Sequence, residues 1–306
     1  RPTQPEDISR TVVLLGKTGH GKSTTGNTLL GVYRFEEGQN TMSETKSVLK
    51  YTVKDTDNYK LTVFDTPGPI DHAKEVDAGY TDFKRGLYNM DIMMEICQEQ
   101  NYEIHAFFIV LNVTGRFSAE EQETIHSLEM IFGSDMLEYY SIIVLTHGDG
   151  FYENFDQWIS KQTGPFKKLL NDCQNRVVLI SNTEAKRKES RGRLIGAIEK
   201  LQKKLDKYYT HETYKSFQSQ RDRFLLKNEL PILTKRYEEE IKTIVRLRSQ
   251  LESQDGIYEL LKKIAVLNHT IKEKDKGTGL LKSYLVTLDS EYIAVSRMKL
   301  SSCNIF

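Results

Sequence analysis

Cysteine is scarce in these 306 residues: Cys97, Cys173 and Cys303 stand far apart, without the spacing of a metal site or a disulfide framework. A stapled secreted scaffold is thereby excluded, and a reducing cytoplasm is the expected home. Long apolar runs are missing too. "AFFIVLNV" (residues 106–113) and "IIVL" (142–145) fall well short of the ~20 residues a membrane-spanning helix needs. Nor is either charge in excess. With 43 basic and 43 acidic residues there is no global positive field to hold nucleic acid or an acidic membrane. No signal peptide is visible, and Arg1 at the start leads us to expect a natural N-terminus further upstream. No internal repeat stands out.

What the chain does have is a run that begins apolar, breaks into glycines and resumes with helical character, "VLLGKTGHGKSTTGNTLLG" (13–31). Gly16, Gly21, Lys22 and Ser23 occupy the fixed places of G-x-x-x-x-G-K-[ST]. In a loop of that pattern, here Gly16, Lys17, Thr18, Gly19, His20, Gly21, Lys22, Ser23 and Thr24, backbone N–H groups turn inward to cradle phosphates. The lysine reaches the β/γ oxygens, and the Ser23 hydroxyl ligates Mg²⁺. A helix starting near Lys22 adds its positive dipole end. The four fixed positions coincide by chance in roughly 1% of chains this long. The apolar run 11–15 before the motif and Gly31 at the helix end supply the strand–loop–helix context it demands. The run reads as a nucleotide site.

Up to about residue 210, short apolar runs (11–15, 47–53, 61–64, 106–113, 141–145 and 176–180) alternate with helical stretches around 71–100, 118–133 and 187–209. The alternation predicts an α/β fold, a mostly parallel central sheet flanked by helices. "VLKYTVKDTDNYKLTVFDT" reads as a hairpin that sets one antiparallel strand at an edge. From residue 211 to 306 the strand signal fades into an α-helical C-terminal extension. Ile241, Ile244, Val245, Arg248 and Leu251 follow a helical spacing, Pro231 is expected to kink that helix or begin a new one, and Gly277 and Gly279 separate two further amphipathic helices. Apolar stripes this narrow must pack on each other, on the first domain or on another chain.

Further pieces of a nucleotide pocket follow at strand ends. In "FDTPG" (64–68), Asp65 can hold Mg²⁺ through water and Gly68 can offer its N–H to a γ-phosphate. In "VLTHGD" (144–149), Asp149 stands where a carboxylate would accept from guanine N1–H and the 2-amino group, a paired donor edge that adenine lacks. Guanine-binding loops usually read N/T-K-x-D. Here Thr146 stands in the asparagine place and His147, whose ring can pack flat against a base, in the lysine place. In "LISNT" (179–183), Asn182 is the candidate for the guanine O6 or ring edge. Between the first helix and the hairpin, Thr41, Ser43 and Thr45 all offer a hydroxyl that could complete Mg²⁺ coordination.

With these pieces in place the chain resembles the GTPases of immunity-associated proteins, the GIMAP family of septin- and Toc-like P-loop GTPases. The likeness covers about residues 10–210. Besides the phosphate loop, "DTPG" and "THGD", it includes "FIVLNVTGRFSAEEQETIHSLEMIFG" (108–133), which looks like the family's own conserved box. The resemblance implies a G domain over residues 1–210 that binds GTP and GDP with Mg²⁺, and GTP-favoured association of G domains into a homodimer or larger oligomer. It implies that Lys22 and Ser23 bind phosphate and Mg²⁺, Asp65 and Gly68 sense the γ-phosphate, and Asp149 reads guanine. Ser43 matches the family's switch threonine by its place in the pattern.

Turnover should be slow. Pro69, directly after D-x-x-G, can neither orient water nor donate a side-chain hydrogen bond. Arg116, in a loop after the 106–113 strand, is the candidate to act across a G-face dimer; the competing role is a local ion pair to Glu120 or Glu121. A GTP-gated scaffold with negligible hydrolysis is the alternative function, and an ATPase a further one that Asp149 argues against. Two side signals complete the reading. "CNIF" at the end loosely fits a prenylation box on Cys303, a route to peripheral membrane contact alongside the C-terminal helices. "KRKESRGR" (186–193) is either a solvated helix start or a phospholipid or partner contact.

Overall fold

The computed structural model describes residues 8–36, 48–54, 59–67, 78–251 and 253–302. Contacts divide the chain into two compact units, Arg1–Phe217 and Gln218–Phe306. The first contains strands β1 (Ile8–Leu15), β2 (Leu49–Lys54), β3 (Tyr59–Asp65), β4 (Ala106–Asn112), β5 (Ser141–Thr146) and β6 (Val177–Leu179). Its helices are α1 (Lys22–Leu30), α2 (Ala78–Glu99), α3 (Ala119–Phe132), α4 (Phe155–Ser160), α5 (Gly164–Asp172), α6 (Glu184–Leu205) and α7 (His211–Ser216). The second unit contains α8 (Gln218–Ser249), α9 (Gln254–Asp275) and α10 (Lys282–Ser302).

The strands form one sheet in the order β2-β3-β1-β4-β5-β6, parallel throughout except for the antiparallel β2–β3 pair. The mostly parallel sheet and its antiparallel edge are as the sequence predicts. β4 and β5 are covered on both faces, which is why they read as unbroken apolar runs; β2, at the edge, mixes Leu49, Tyr51 and Val53 with exposed polar residues. In register, Leu14 of β1 lies beside Asp65 of β3 on one side and Phe108 of β4 on the other. That register brings the ends of three strands to the loop that follows Leu15.

One sheet face packs Val12, Leu14, Val63, Phe108 and Val110 against Leu29 of α1 and Leu194 and Ile198 of α6. Elsewhere Phe107, Phe132 and Tyr209 form an aromatic cluster with ring centroids 4.8–5.8 Å apart, and the Tyr209 hydroxyl donates to the Phe132 carbonyl at 2.7 Å. Arg10 of β1 grips Glu199 of α6 through two bonds of 2.8 and 2.9 Å. Two short helices add to the predicted set. Asn154 caps α4 by accepting from the Gln157 amide, and Pro165 sits in the first turn of α5, where a missing N–H is tolerated.

In the second unit α9 buries Ile257, Leu260, Ile264, Leu267 and Ile271, and Leu281, Leu288 and Val295 recur every seventh residue beside them. The narrow stripes do pack on each other. Of the predicted α8 stripe, Ile244 is fully buried, Val245 is exposed, and Arg248 pairs with Glu291 of α10 at 2.8 Å. No new helix begins at Pro231: α8 continues through it, where packing of Leu226, Tyr237 and Ile244 in the core of this unit outweighs one lost backbone bond.

The α9–α10 turn hangs on Asp275. Its carboxylate accepts from the Leu281 amide at 2.8 Å, the Gly279 amide at 2.9 Å and the Thr278 hydroxyl at 3.0 Å. Burial alone would raise its pKa, but these donors to the charged form hold it below the ordinary aspartate value. Asp275→Ala is therefore expected to cost this unit about 2 kcal/mol, read as faster amide exchange across α9 and α10. The contribution is present at neutral pH and disappears as acid protonates the carboxyl.

Candidate functional site

The loop between β1 and α1 is shaped by its glycines. Gly16 has φ +138°, and a Cβ there would fall 2.4 Å from the Val110 carbonyl oxygen of β4, so no larger residue fits. Gly19 and Gly21 also lie at positive φ, and Gly21 takes the N-cap place of α1 with no side-chain cap. Lys22 is buried, and its Nζ reaches back to donate to the Lys17 carbonyl at 3.1 Å. Thr18 and Gly19 at the loop tip are exposed; Lys17, His20, Ser23 and Thr24 are half-buried.

Asp65 ends β3 with no exposed surface. Its Oδ2 accepts from the Ser23 hydroxyl at 2.6 Å, whereas Oδ1 is buried without a hydrogen-bond partner. Burial pushes its pKa up, and the Ser23 bond and the Lys22 charge oppose the shift. A buried carboxylate oxygen beside a hydroxyl, at the mouth of a loop of backbone amides, suits a hard cation. Mg²⁺ uses such a set, one or two protein oxygens completed by phosphates and water. Among the described residues no group of three or more His, Cys, Asp or Glu could hold a metal. Thr66 fixes the strand end by donating from its hydroxyl to the Leu14 carbonyl at 2.7 Å. Gly68, Pro69, Thr41, Ser43, Thr45 and Cys303 lie outside the described residues.

On the other side of the loop, the Thr146 hydroxyl sits 3.0 Å from the His20 carbonyl, 3.2 Å from the Leu111 carbonyl and 2.9 Å from His147 Nδ1. The residue in the asparagine place thus still ties the end of β5 to the phosphate loop. His147 turns the chain with φ +62°, and the Gly148 amide donates to the Ile180 carbonyl at 2.9 Å. Asp149 Oδ1 accepts from the Ser181 hydroxyl at 3.2 Å. The Asn182 side chain bonds to α1: Oδ1 accepts from the Thr28 hydroxyl at 2.9 Å, and Nδ2 lies 3.4 Å from that of Thr25. It tethers the loop before α6 to the helix after the phosphate loop, and Ser181 is the neighbour that orients Asp149. Sequence reasoning missed Ser181, Thr25 and Thr28, which meet these partners only in space.

Arg116 is exposed in the loop between β4 and α3. The two carboxylates expected to compete for it have other partners: Glu120 pairs with Lys17, and Glu121 closes a capping box with Ser118 at the start of α3. Arg116 lines a cleft of about 520 Å³ with Phe117, Trp158 and Phe166. Lys17, His20, Asp65, Asp149 and their neighbours are brought to the carboxyl-terminal end of the parallel strands, the place where open α/β sheets bind ligands.

Residues 10–228 match the model of the AIG1 family. Among curated proteins, the chain is 30% identical over 281 residues to immune-associated nucleotide-binding protein 10 of Arabidopsis thaliana, covering 88% of this chain and 58% of that protein. It is 28% identical over 257 residues to immune-associated nucleotide-binding protein 7 of the same plant, covering 81% and 79%. The chain therefore spans little more than half the length of the first of these relatives. Among solved structures, Arabidopsis Toc33 in complex with GDP and Mg²⁺ matches with a TM-score of 0.50 at 18% identity, over 66% of this chain and 87% of that one. A structure from work on dimerization and the GTPase activity of the chloroplast translocon components atToc33 and psToc159 matches with a TM-score of 0.50 at 19% identity, over 67% and 86%. Among the described residues, no helix is long and apolar enough to cross a membrane.

Proposed function

The chain belongs to the AIG1 family, and from that premise we propose that it is a guanine-nucleotide switch: it binds GTP and GDP with Mg²⁺, hydrolyses GTP slowly to GDP and phosphate, and pairs with a second copy through its nucleotide face. The observation that carries this reading is the Ser23–Asp65 junction, a 2.6 Å bond that leaves a buried carboxylate oxygen beside the phosphate loop. The nucleotide-binding names of the Arabidopsis relatives and the GDP and Mg²⁺ of Toc33 support it. In this reading residues 1–210 are the G domain and 211–306 its helical extension.

The loop amides and the Lys22 ammonium hold the phosphates. Ser23 and Asp65 hold Mg²⁺, which neutralises charge on the phosphate oxygens when bound. Asp149 accepts from guanine N1–H and the 2-amino group, steadied by Ser181, while His147 packs beside the base and Asn182 keeps the closing loop on α1. By the family pattern Ser43, among the hydroxyls of Thr41, Ser43 and Thr45, would complete the cation's ligands and Gly68 would offer its amide to the γ-phosphate; these residues lie outside the described ones. In hydrolysis, water forms a bond to the γ-phosphorus as the bond to the β–γ bridging oxygen breaks. Pro69, directly after D-x-x-G, has no side-chain donor or acceptor to orient that water, so the lone chain is slow. The test compares affinities for GDP, a GTP analogue and an ATP analogue, together with the oligomeric state in each. No guanine-nucleotide uptake at about 1 mM ligand overturns the reading. Single-turnover hydrolysis over hours separates the enzyme from a GTP-gated scaffold.

Asp65→Asn gives a two-sided result. A carboxyl whose folded-state pKa is raised penalises the nucleotide-free chain: its stability contribution is greatest in acid and is lost as pH rises through the usual aspartate value toward the raised one. The neutral amide removes that penalty, so the variant without nucleotide should melt higher than the native chain at neutral pH. It should also lose the cation effect. Chelating Mg²⁺ is expected to weaken GDP binding by the native chain at least about tenfold and to leave the variant nearly unchanged. A variant that melts lower and keeps its Mg²⁺ dependence refutes the assignment.

A further inference from the structure

Part of the basic run 186–193 faces away from the phosphate loop: Arg187, Lys188 and Arg191 border the end of α1, a nine-residue helix about 13 Å long, that lies opposite that loop. There a cleft of about 660 Å³ is bounded by Leu30 at the end of α1, Gly31 and Val32 after it, the edge strand β2, and the first turns of α6. Arg34, Lys54, Arg187, Lys188 and Arg191 line it, and Glu184 is the only carboxylate among its described lining residues. In a chain whose formal charges sum to zero, that is a strong local excess of one sign.

The two arginines of α6 are held in place rather than left to wave in solvent. The Arg187 guanidinium stacks over the Tyr33 ring at 4.1 Å from its centroid, with Nε 3.6 Å from Glu184. The same glutamate accepts from the Tyr33 hydroxyl at 2.8 Å, so its single charge is already shared. Arg191 donates from Nε to the Leu29 carbonyl at 3.0 Å, on the last turn of α1. The Arg34 amide donates to Asn27 at 2.8 Å, which fixes its backbone while its side chain stays exposed. Planar donors preset on α6, with Arg34 beside them on the segment after α1, suit phosphate oxygens, and presetting lowers the entropy lost on binding.

We propose that this cleft binds a compact, multiply phosphorylated anion of the inositol-phosphate kind. Among the described lining residues the excess of cations over carboxylates matches two or more phosphate groups better than one. The chemistry is common to a soluble inositol polyphosphate and to the headgroup of a phosphoinositide, and the two sources are separable by experiment.

The test titrates inositol hexakisphosphate into the full chain in the presence of excess GDP and Mg²⁺, and in parallel sediments the chain with vesicles carrying phosphatidylinositol bisphosphate or phosphatidylserine at equal charge. The native chain is expected to bind, more weakly as salt rises. Arg34→Glu with Lys188→Glu, both on exposed side chains, should weaken binding at least about tenfold. Lys200→Glu with Lys203→Glu, equally charged changes further along α6, should leave it as it was, and thermal melting checks that each variant folds. Preference for the phosphoinositide vesicles that disappears in the first double variant assigns the anion to a membrane; uptake of the soluble anion without vesicle preference assigns it to solution. Failure of the native chain to take up either probe, or equal weakening by the two double variants, overturns the proposal.

Discussion

Asp149→Asn will turn the chain's preference from GTP to xanthosine triphosphate, changing the ratio of the two affinities by about 10⁴-fold. Guanine presents two donors on one edge, N1–H and the 2-amino group, and an ionised carboxylate offers only acceptors to meet them. Xanthine keeps N1–H but carries a carbonyl at C2. An amide side chain has one acceptor and one donor, the complement of that edge, and it leaves guanine's 2-amino group facing an N–H. The geometry lets the exchange happen in place. Ser181 donates to Asp149 Oδ1 at 3.2 Å and Gly148 is fixed to the Ile180 carbonyl, so the substituted amide inherits a held position. Competition of labelled GDP with GTP, xanthosine triphosphate and ATP reads the outcome. An unchanged ranking in the variant, or ATP competing as well as GTP on the native chain, would show that Asp149 does not choose the base.

What can be read from the chain alone divides along a physical line. Where chemistry is set by neighbours in sequence, pattern and structure agree closely. The glycine-rich loop, the hairpin that places β2 at the edge and the glycine end of α1 are all short-range patterns. The central strands are legible because burial on both faces leaves no polar positions to confuse the pattern. What escapes depends on residues far apart in the chain. Asn182 meets α1 across 154 positions, and Ser181 reaches Asp149 across 32. By pattern Thr146 is a weakened version of the usual asparagine, yet its hydroxyl bonds the phosphate-loop backbone 126 positions away. By pattern Gly16 is a turn residue, and only the structure shows the Val110 carbonyl that forbids anything larger. Pro231 fails as a helix boundary because a proline penalty of ~3 kcal/mol is small beside an apolar seam running the length of the second unit.

Arg116→Ala is expected to flatten the dependence of GTP turnover on protein concentration. If a second copy supplies the missing positive charge, specific activity of the native chain should climb as dimers form, by on the order of 10³-fold at the plateau, the lower end for an arginine that stabilises phosphoryl transfer. The side chain is exposed, and Glu120 and Glu121, its expected local competitors, are engaged by Lys17 and by the Ser118 cap. A merely structural arginine would behave differently, since its loss would lower stability or nucleotide affinity and leave the slope against concentration intact. Arg116→Lys sharpens the distinction. Lysine keeps the charge but loses the planar pair of donors, so it should restore association more than turnover. Turnover measured over a wide concentration range, beside light scattering with a GTP analogue, gives both quantities from one preparation. Hydrolysis that stays independent of concentration in the native chain and in Arg116→Ala would remove the second copy from the chemistry and leave the slow reaction to the pocket of a single chain.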